Sequence, residues 1–415
     1  MRKVSMFAIA ASVAAVVAGM SVPVGGQAQP AGGVTAYEGA RIIVGDGSAP
    51  IEGGTIVVQG TTITAAGKTV QVPAGATRVN LAGKTVMPMI IDTHIHAPDD
   101  VAQNVRDMKR RAYWGISAAM SMGTETKDTS LKQRSQDVQG QARILSAGRG
   151  ITGVEKGREQ AAYWVANEAE ARKAVQDNAG KRVDIIKIWV DDREGSVPKL
   201  TPAQYGAVID EAHKANLRVT AHIFNLEDGK GLLRANVDAF AHGVRDRDID
   251  DEFMTMVRAK PNLVLNPNLP GRGAPTDLSF LQGRLPANEF ADAQKGNVDN
   301  AKQAEAFGIQ ARNLKRMNDA GTRVVLGTDG NIPWEPHREM ENMVVAGMTP
   351  TQVIVASTSR AAEFMRLTNQ GVLQQGKSAD FIVLDANPLD NITNTRRINA
   401  VYHKGQAVSR TAYPN

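Results

Sequence analysis

Between the two ends of the chain, short aliphatic runs alternate with longer amphipathic stretches. This alternation is typical of β/α units around a parallel sheet, because a strand buried on both faces is apolar throughout, whereas its covering helix is apolar on one side. The pattern predicts eight parallel strands separated by helices over residues 88–369. The eight runs are VMPMIIDTHIH, GISAAMSMG, ARILSAG, VDIIKIWV, LRVTAHIF, VDAFAHGV, NLVLNPNL and TRVVLGTDG.

The amphipathic stretches carry the sequence signals of helices. In TPAQYGAVIDEAHKAN, Thr201 is placed to cap a helix whose first residue is Pro202, and residues 301–320 have helical periodicity. The second apolar run, GISAAMSMG, is rich in alanine and glycine. Irregular structure is therefore the alternative for it and for the third run.

Eight strands with crossover helices match an α/β fold of the (β/α)8 TIM barrel type, which typically takes about 250 residues before insertions. The alternative is a doubly wound open sheet, which more often has a glycine-rich phosphate loop after its first strand, and none is visible here. Residues 271–299, between the seventh and eighth strands, are rich in Gly, Pro and Asn. We expect this segment to cover the mouth of the barrel.

The two ends of the remaining chain have a different texture. Residues 34–87 and 370–412 contain short runs of Val, Ile and Thr separated by Gly, Asp-Gly and Pro, as in antiparallel hairpins. Each end is too small to fold alone. We therefore expect them to pair into one small β-sandwich domain beside the barrel.

Residues 1–28 have the features of a secretory signal peptide. A basic start is followed by an apolar stretch over about residues 6–20 and by small residues around Ala28. The alternative is a retained membrane anchor, but the apolar stretch is shorter than the ~20 residues that span a bilayer. We expect a periplasmic or secreted protein with no stable membrane insertion after cleavage.

Composition narrows the classes of function. The 415 residues are 42% hydrophobic and 22% charged, so a folded core is expected rather than disorder. The formal net charge of +5 is not concentrated in a basic run, which argues against a nucleic-acid partner and leaves a small-molecule substrate. The chain has no cysteine, so any metal must be held by histidines or carboxylates. Oligomeric state has no signal in the sequence.

Two histidines, His94 and His96, end the first predicted strand. Side chains alternate across a strand, so both imidazoles project from the same face. That spacing suits chelation of one divalent cation, although two unrelated histidines could have it as well.

Four further polar residues lie near the ends of other predicted strands, where a barrel builds its active site. Singly, each has an ordinary explanation: a lysine at the rim or paired with Asp191 or Asp192, a histidine bonded to backbone, an aspartate capping a turn. Together with the strand-one pair, they predict a site for two cations. The four residues are Lys187 in VDIIKIWV, His222 in VTAHIF, His242 in AFAHGV and Asp329 in GTDG.

Lys187 is flanked by isoleucines and Trp189, where an unpaired ammonium would be unfavourable. Burial lowers the pKa of an amine, and a neutral amine can react with carbon dioxide to give an anionic carbamate that bridges two metals. Zinc is the default metal for such a histidine-rich site. Of the other histidines, His213 and His403 are expected to be structural or exposed. His337 either decorates the helix that follows it or reaches the substrate from a loop.

These motifs together resemble those of the amidohydrolase superfamily, in its prolidase-like and imidazolonepropionase-related branch. The resemblance covers residues 36–409 and also includes MTPTQVIVASTSRAAEF and GVLQQGKSADFIVLDANPLDNI. It implies a binuclear centre bridged by carbamylated lysine. The implied ligands are His94, His96, Lys187 and Asp329 for one metal, and Lys187, His222 and His242 for the other.

Two departures from the family pattern concern the surroundings of the site. Met89 stands where a glycine is common, and GISAAMSMG replaces a GVTTV-like pattern. Both lie around the predicted metal site rather than in it.

The resemblance implies a hydrolase of carbon–nitrogen bonds acting on a dipeptide or N-acyl amino acid. A metal-bridging hydroxide would attack the carbonyl, with Asp329 as general base and then acid, and His242 would steady the tetrahedral intermediate. One alternative is a cyclic amide, lactone or ester substrate. A periplasmic binding protein without catalysis is the alternative from another class.

Overall fold

The computed structural model describes residues 33–155 and 161–415. The predicted signal peptide, residues 1–28, lies outside these ranges. Within them, no helix combines the length and the apolar character needed to cross a membrane.

Strands from both ends of the chain lie in one mixed sheet of eight strands. They are β1 (Val34–Ile42), β2 (Ile51–Gln59), β3 (Thr62–Gly67), β4 (Thr77–Asn80), β5 (Thr85–Pro88), β16 (Phe381–Leu384), β17 (Ile398–His403) and β18 (Gln406–Ala407). The strand order is β18-β17-β16-β5-β1-β2-β3, with β4 paired to β1, and β16 joins the two ends of the chain by pairing antiparallel to β5. A separate apolar core that includes Tyr37, Phe381 and Tyr402 packs on this sheet. The division into two sandwich layers and the domain boundaries stay predictions.

Within the described residues, the middle of the chain forms ten strands that pair in parallel. They are β6 (Ile90–Ile95), β7 (Ile116–Ser121), β8 (Arg143–Ser146), β9 (Gly150–Thr152), β10 (Ala162–Trp164), β11 (Ile186–Val190), β12 (Val219–Ile223), β13 (Ala239–Phe240), β14 (Val264–Leu265) and β15 (Arg323–Val324). One sheet has the order β10-β9-β11-β12-β13-β14-β15 and the other β6-β7-β8. Each of the eight apolar runs coincides with one of these strands, including the second and third runs. The predicted α/β class is confirmed.

Backbone hydrogen bonds connect the parallel sheets at two junctions. The Asp184 N–H donates to the Ser146 carbonyl over 2.9 Å, which links the end of β8 to the chain just before β11. The Thr93 N–H in β6 donates to the Leu326 carbonyl, two residues beyond β15, also over 2.9 Å. Every residue of β6, β7 and β11 is buried, which accounts for their apolar sequences on both faces.

Helices follow most of the parallel strands. They are α1 (Val101–Tyr113), α2 (Thr129–Gln133), α3 (Glu168–Gly180), α4 (Pro202–Lys214), α5 (Leu226–Arg234), α6 (Asp251–Arg258), α7 (Ala287–Lys295), α8 (Ala301–Asp319), α9 (Pro336–Val345), α10 (Pro350–Ser357) and α11 (Ser359–Phe364). The predicted start of α4 is confirmed, because Thr201 and Gln204 form a reciprocal capping box and Pro202 is the first helical residue. The periodic stretch 301–320 is α8.

Residues 271–299 contain more structure than expected from their composition. A short 3-10 helix (Ser279–Leu281) and α7 both lie in this segment. The Phe280 ring packs edge-on against Trp114 and Trp334, with centroids 5.9 and 6.0 Å away. Trp334 lies five residues after Asp329, so the segment packs beside the loop that carries this aspartate.

Candidate active site

Five of the six predicted groups lie near the end of a parallel strand or just beyond it. His94 and His222 are the last residues but one of β6 and β12, and His96, His242 and Asp329 follow β6, β13 and β15. The sixth, Lys187, is the second residue of β11, well before its carboxyl end.

The carboxylate of Asp329 lies next to the imidazoles of three of the histidines. Its Oδ1 lies 2.9 Å from His96 Nε2 and 3.1 Å from His94 Nε2, and its Oδ2 lies 3.6 Å from His242 Nε2. The side chains of His94 and His242 are almost fully buried, whereas that of Asp329 is 33% exposed. The carboxylate therefore lies between a buried histidine cluster and the solvent.

Lys187 and His222 complete the cluster. Lys187 is fully buried, which is incompatible with a lysine that snorkels to the rim, and its Nζ lies 3.4 Å from His94 Nε2. The His222 ring packs 4.6 Å from that of His242, centroid to centroid. His222 Nε2 lies 3.0 Å from an Asp191 carboxylate oxygen, so Nδ1 is its remaining ring nitrogen. A carboxylate on one ring nitrogen orients the other toward a metal in many metalloproteins.

The buried histidines are neutral at physiological pH. Burial, assisted by the charge of Lys187, lowers the pKa of His94 to about 3. Burial lowers the pKa of His222 to about 4 and that of His242 well below its usual value. Burial alone would raise the pKa of Asp329, but its interactions with His242 and His94, which include hydrogen bonds from the ring N–H groups of His94 and His96, hold it well below its usual range. The site therefore combines neutral nitrogen donors with an ionised carboxylate.

A buried ion pair that the sequence did not predict holds the Asp329 loop. The Asp92 carboxylate lies 2.9 Å from Arg111 Nη1, and neither side chain is more than 1% exposed. Asp92 also accepts hydrogen bonds from the backbone and hydroxyl of Thr328, over 3.1 and 2.9 Å, and Arg111 donates to the Gly330 carbonyl. These contacts flank Asp329, whose φ of +58° is uncommon for a residue other than glycine. An aspartate inside the apolar run of β6 was the available signal.

Asn268 is a second residue that the sequence analysis missed. Its amide nitrogen donates to the Ala241 carbonyl over 2.8 Å and lies 2.7 Å from His94 Nδ1 and 3.4 Å from His242 Nδ1. It therefore contacts two histidines of the cluster on the side opposite Asp329. Its position just beyond β14, in NLVLNPNL, was the only signal.

The remaining three histidines have partners elsewhere. His337 Nε2 donates to the Trp114 carbonyl over 2.9 Å, and its Nδ1 accepts from the Thr395 hydroxyl over 3.1 Å, so both nitrogens are engaged away from the cluster. Of the two alternatives left open for His337, these partners favour a role in the helix α9. His213 lies 2.9 Å from Asp238, and His403 Nδ1 accepts from the Gly140 N–H over 3.1 Å. Both are structural, as expected.

The donor set fits a divalent cation. Ligand atoms of His94, His242 and Asp329 all lie within 4.8 Å of one another, and His96 contacts the same carboxylate. Neutral imidazoles and a carboxylate are common ligands of zinc and related metals.

Comparison with known proteins agrees with this geometry. The model of the amidohydrolase family matches residues 85–408. An uncharacterised protein of Mycobacterium tuberculosis is 24% identical over 336 residues, which span 76% of this chain and 82% of that protein. The ochratoxinase of Aspergillus niger is 22% identical over 246 residues, or 56% of this chain and 47% of the enzyme.

Similar solved structures cover almost the whole chain. A Bifidobacterium longum structure, provisionally assigned as a prolidase, is 25% identical, with a TM-score of 0.76 over 93% of this chain and 97% of its own. The family match spans most of the protein and includes all six residues of the cluster. The chain therefore belongs to the amidohydrolase family and is a hydrolase that acts on carbon–nitrogen bonds.

Proposed function

We propose that this protein hydrolyses the amide bond of a dipeptide or an N-acyl amino acid, using two divalent metal ions. The observation that carries the proposal is the contact of one carboxylate, Asp329, with three imidazoles at the ends of three parallel strands. An ochratoxinase among the relatives and a provisionally assigned prolidase among the similar structures support an amide substrate.

In this proposal the cluster holds both ions. Lys187, as its carbamate, would contribute to both. Its burial beside His94 favours the neutral amine, which is the form that reacts with carbon dioxide. Zinc is the default metal for such ligands. The other proposed ligands are His94, His96 and Asp329 for one ion, and His222 and His242 for the second. When bound, the ions polarise the substrate carbonyl and lower the pKa of water to roughly 7.

The side chains of the cluster then have distinct tasks. Asp329 is ionised and partly exposed, so it can take the proton of the attacking water at a carboxylate oxygen and return it to the leaving nitrogen. His242 lies beside that carboxylate in a buried position, where it can steady the developing negative charge. Asp92 and Arg111 act through position alone, because they fix the backbone on both sides of Asp329.

Two structural parts of the proposal concern the scaffold and the location of the protein. We infer that β6, β7, β8 and β11 to β15 close into an eight-stranded barrel, which the backbone hydrogen bonds at the two junctions support. We also propose export to the periplasm or the medium after cleavage near Ala28, which the mass of the mature N-terminus would test.

Substrate class is tested by a panel of dipeptides, N-acyl amino acids, lactones and aryl esters with protein loaded with zinc and bicarbonate. We expect at least one amide to be hydrolysed with a kcat/KM of about 10⁴ M⁻¹ s⁻¹ or more. Turnover of lactones or esters without any amide would contradict the proposal. Reloading in carbon dioxide-free buffer should lower activity and metal content together if Lys187 is carbamylated.

A further inference from the structure

Arg245 lies in a loop next to the strand ends at which His242 and His222 are found. It follows His242 by three residues, in the loop after β13. Its backbone N–H donates over 2.9 Å to the carbonyl of Phe224, which directly follows β12. The loop is therefore anchored to the carboxyl end of the strand that carries His222.

The side chain of Arg245 is partly exposed and has no matching anion in the part of the chain that the structure describes. Its Nε is buried and makes no hydrogen bond, and no carboxylate in the described ranges lies within ion-pair distance of it. Burial lowers its pKa, and Asp329 exerts the largest opposing influence. In contrast, Arg247, two residues further on, is 67% exposed and paired with Asp246 at 2.6 Å. Of the two arginines in this loop, Arg247 thus has a carboxylate partner within the described residues and Arg245 does not.

A partly buried cation without a partner is unfavourable unless a ligand supplies the opposite charge, and its exposed part leaves room for that ligand. A guanidinium matches a carboxylate especially well, because its planar fork can donate two parallel hydrogen bonds. The loop of Arg245 includes His242, and its hydrogen bond to Phe224 ties it to the residue two positions after His222. An anion bound by Arg245 would therefore lie beside the cluster rather than at a distant surface.

We propose that Arg245 binds the free carboxylate of the substrate and so selects amides whose leaving group is an amino acid. The proposal rests on the proposed function and adds to it the residue that recognises this class of substrate. In an N-acyl amino acid the carboxylate is attached to the carbon next to the leaving nitrogen. An anchor for this group must therefore lie close to the residue that protonates that nitrogen. Arg245 meets this requirement, because it lies three residues after His242, whose Nε2 is 3.6 Å from the Asp329 carboxylate. Neutral lactones, aryl esters and simple cyclic amides lack such an anion.

The test compares two substrates that differ only in this group. They are an N-acyl amino acid that the wild type hydrolyses and the N-acyl amine that remains after removal of its carboxylate. We expect the wild type to prefer the acid by roughly 10- to 100-fold in kcat/KM, the range of a hydrogen bond to a charged group. In Arg245→Gln this preference should disappear, mainly through a higher KM for the acid, with the N-acyl amine unaffected within about two-fold. Arg245→Lys should recover part of it.

Arg247→Gln is the matched control, since it removes a cation from the same loop, and it should keep the preference of the wild type. Metal content measured on each variant separates a carboxylate subsite from damage to the cluster. The proposal is overturned if Arg245→Gln retains the preference for the acid, or if it loses both substrates equally.

Calorimetric binding of a panel of N-acetyl amino acids gives a readout that does not need turnover. If N-acetyl amino acids bind in an Arg245-dependent way but the protein cleaves no amide, the carboxylate subsite is supported and the proposed function is rejected. Amide hydrolysis with no effect of Arg245→Gln on binding or turnover would reject the subsite and keep the function. Absence of Arg245-dependent binding across the panel likewise rejects the subsite.

Discussion

Two groups of buried histidines differ in what they face rather than in how deeply they lie. His94 and His242 are no more than 1% exposed, and the same is true of His337 and His403. Burial lowers the pKa in all four. The first two face Asp329, whereas the other two are hydrogen-bonded to backbone or to a threonine of the scaffold. A buried neutral imidazole is therefore no mark of a functional site until its partners are known.

The comparison predicts that substitutions in the two groups affect different properties of the protein. In the cluster around Asp329, a loss should appear in metal binding and turnover. In the scaffold, it should appear in stability, because the hydrogen bonds there satisfy buried polar groups and hold the chain together.

The largest expected effect is that of Asp329→Asn. The amide keeps the size of the side chain but cannot accept a proton, so kcat/KM should fall by about 10³-fold or more. The melting temperature should change little, because the carboxylate lies partly exposed at the edge of the cluster. Steady-state kinetics and circular dichroism of the same preparation measure both quantities. Activity within ten-fold of the wild type would remove Asp329 from the mechanism.

Arg111→Met should affect both properties, because it removes one partner of a fully buried ion pair. Leaving Asp92 without its partner is expected to destabilise the fold by about 3–5 kcal/mol. Turnover should fall as well, since Arg111 also holds the Gly330 carbonyl beside Asp329. Denaturant unfolding measures the stability. A variant as stable as the wild type would show that this pair does not hold the loop.

His337→Ala tests the scaffold group. Loss of its hydrogen bonds to Trp114 and Thr395 should cost about 1–3 kcal/mol in stability. The kcat should stay within about three-fold of the wild type at a temperature where the variant is folded. A large fall in kcat without a fall in stability would place His337 with the cluster and break the comparison.

The smallest effect concerns Glu339, a buried acid outside the cluster. Burial raises the pKa of Glu339 from its usual 4.5 to about 8, so the side chain stays protonated in the folded state at neutral pH. Between these pH values the folded state binds the extra proton, so this group makes stability fall as pH rises from about 4.5 to 8. Glu339→Gln should remove this contribution. Its melting temperature relative to the wild type should therefore rise by a few degrees between pH 5.5 and 8. A constant difference would mean that Glu339 is ionised throughout.

The parts of the site that depend on local sequence pattern could be predicted from the sequence. Buried strands alternate with polar strand ends, and this local pattern was enough to single out three features of the site. They are the spacing of His94 and His96, the lysine within an apolar strand and the aspartate after the last strand. The eight parallel strands follow from the same alternation. Strands β9 and β10 were missed because three residues are too few to show a period.

The rest of the site depends on contacts between distant parts of the chain. Arg111 lies on α1, where an arginine on an amphipathic helix is ordinary, and its burial against Asp92 follows only from packing. Asn268 and Arg245 follow strand ends in loops whose conformations sequence periodicity does not specify. For His337, the position after the eighth strand left open both a substrate contact and a role in the following helix, and only its contacts with Trp114 and Thr395 favour the second.

Metal content tests the central claim most directly. Wild type, His94→Asn and His337→Ala would be loaded with zinc and bicarbonate, separated from free metal and analysed for metal per chain. The account predicts about two equivalents in the wild type and in His337→Ala, and less than one in His94→Asn. Equal metal in His94→Asn and the wild type, or no stoichiometric metal in the wild type, would contradict a metal centre at Asp329.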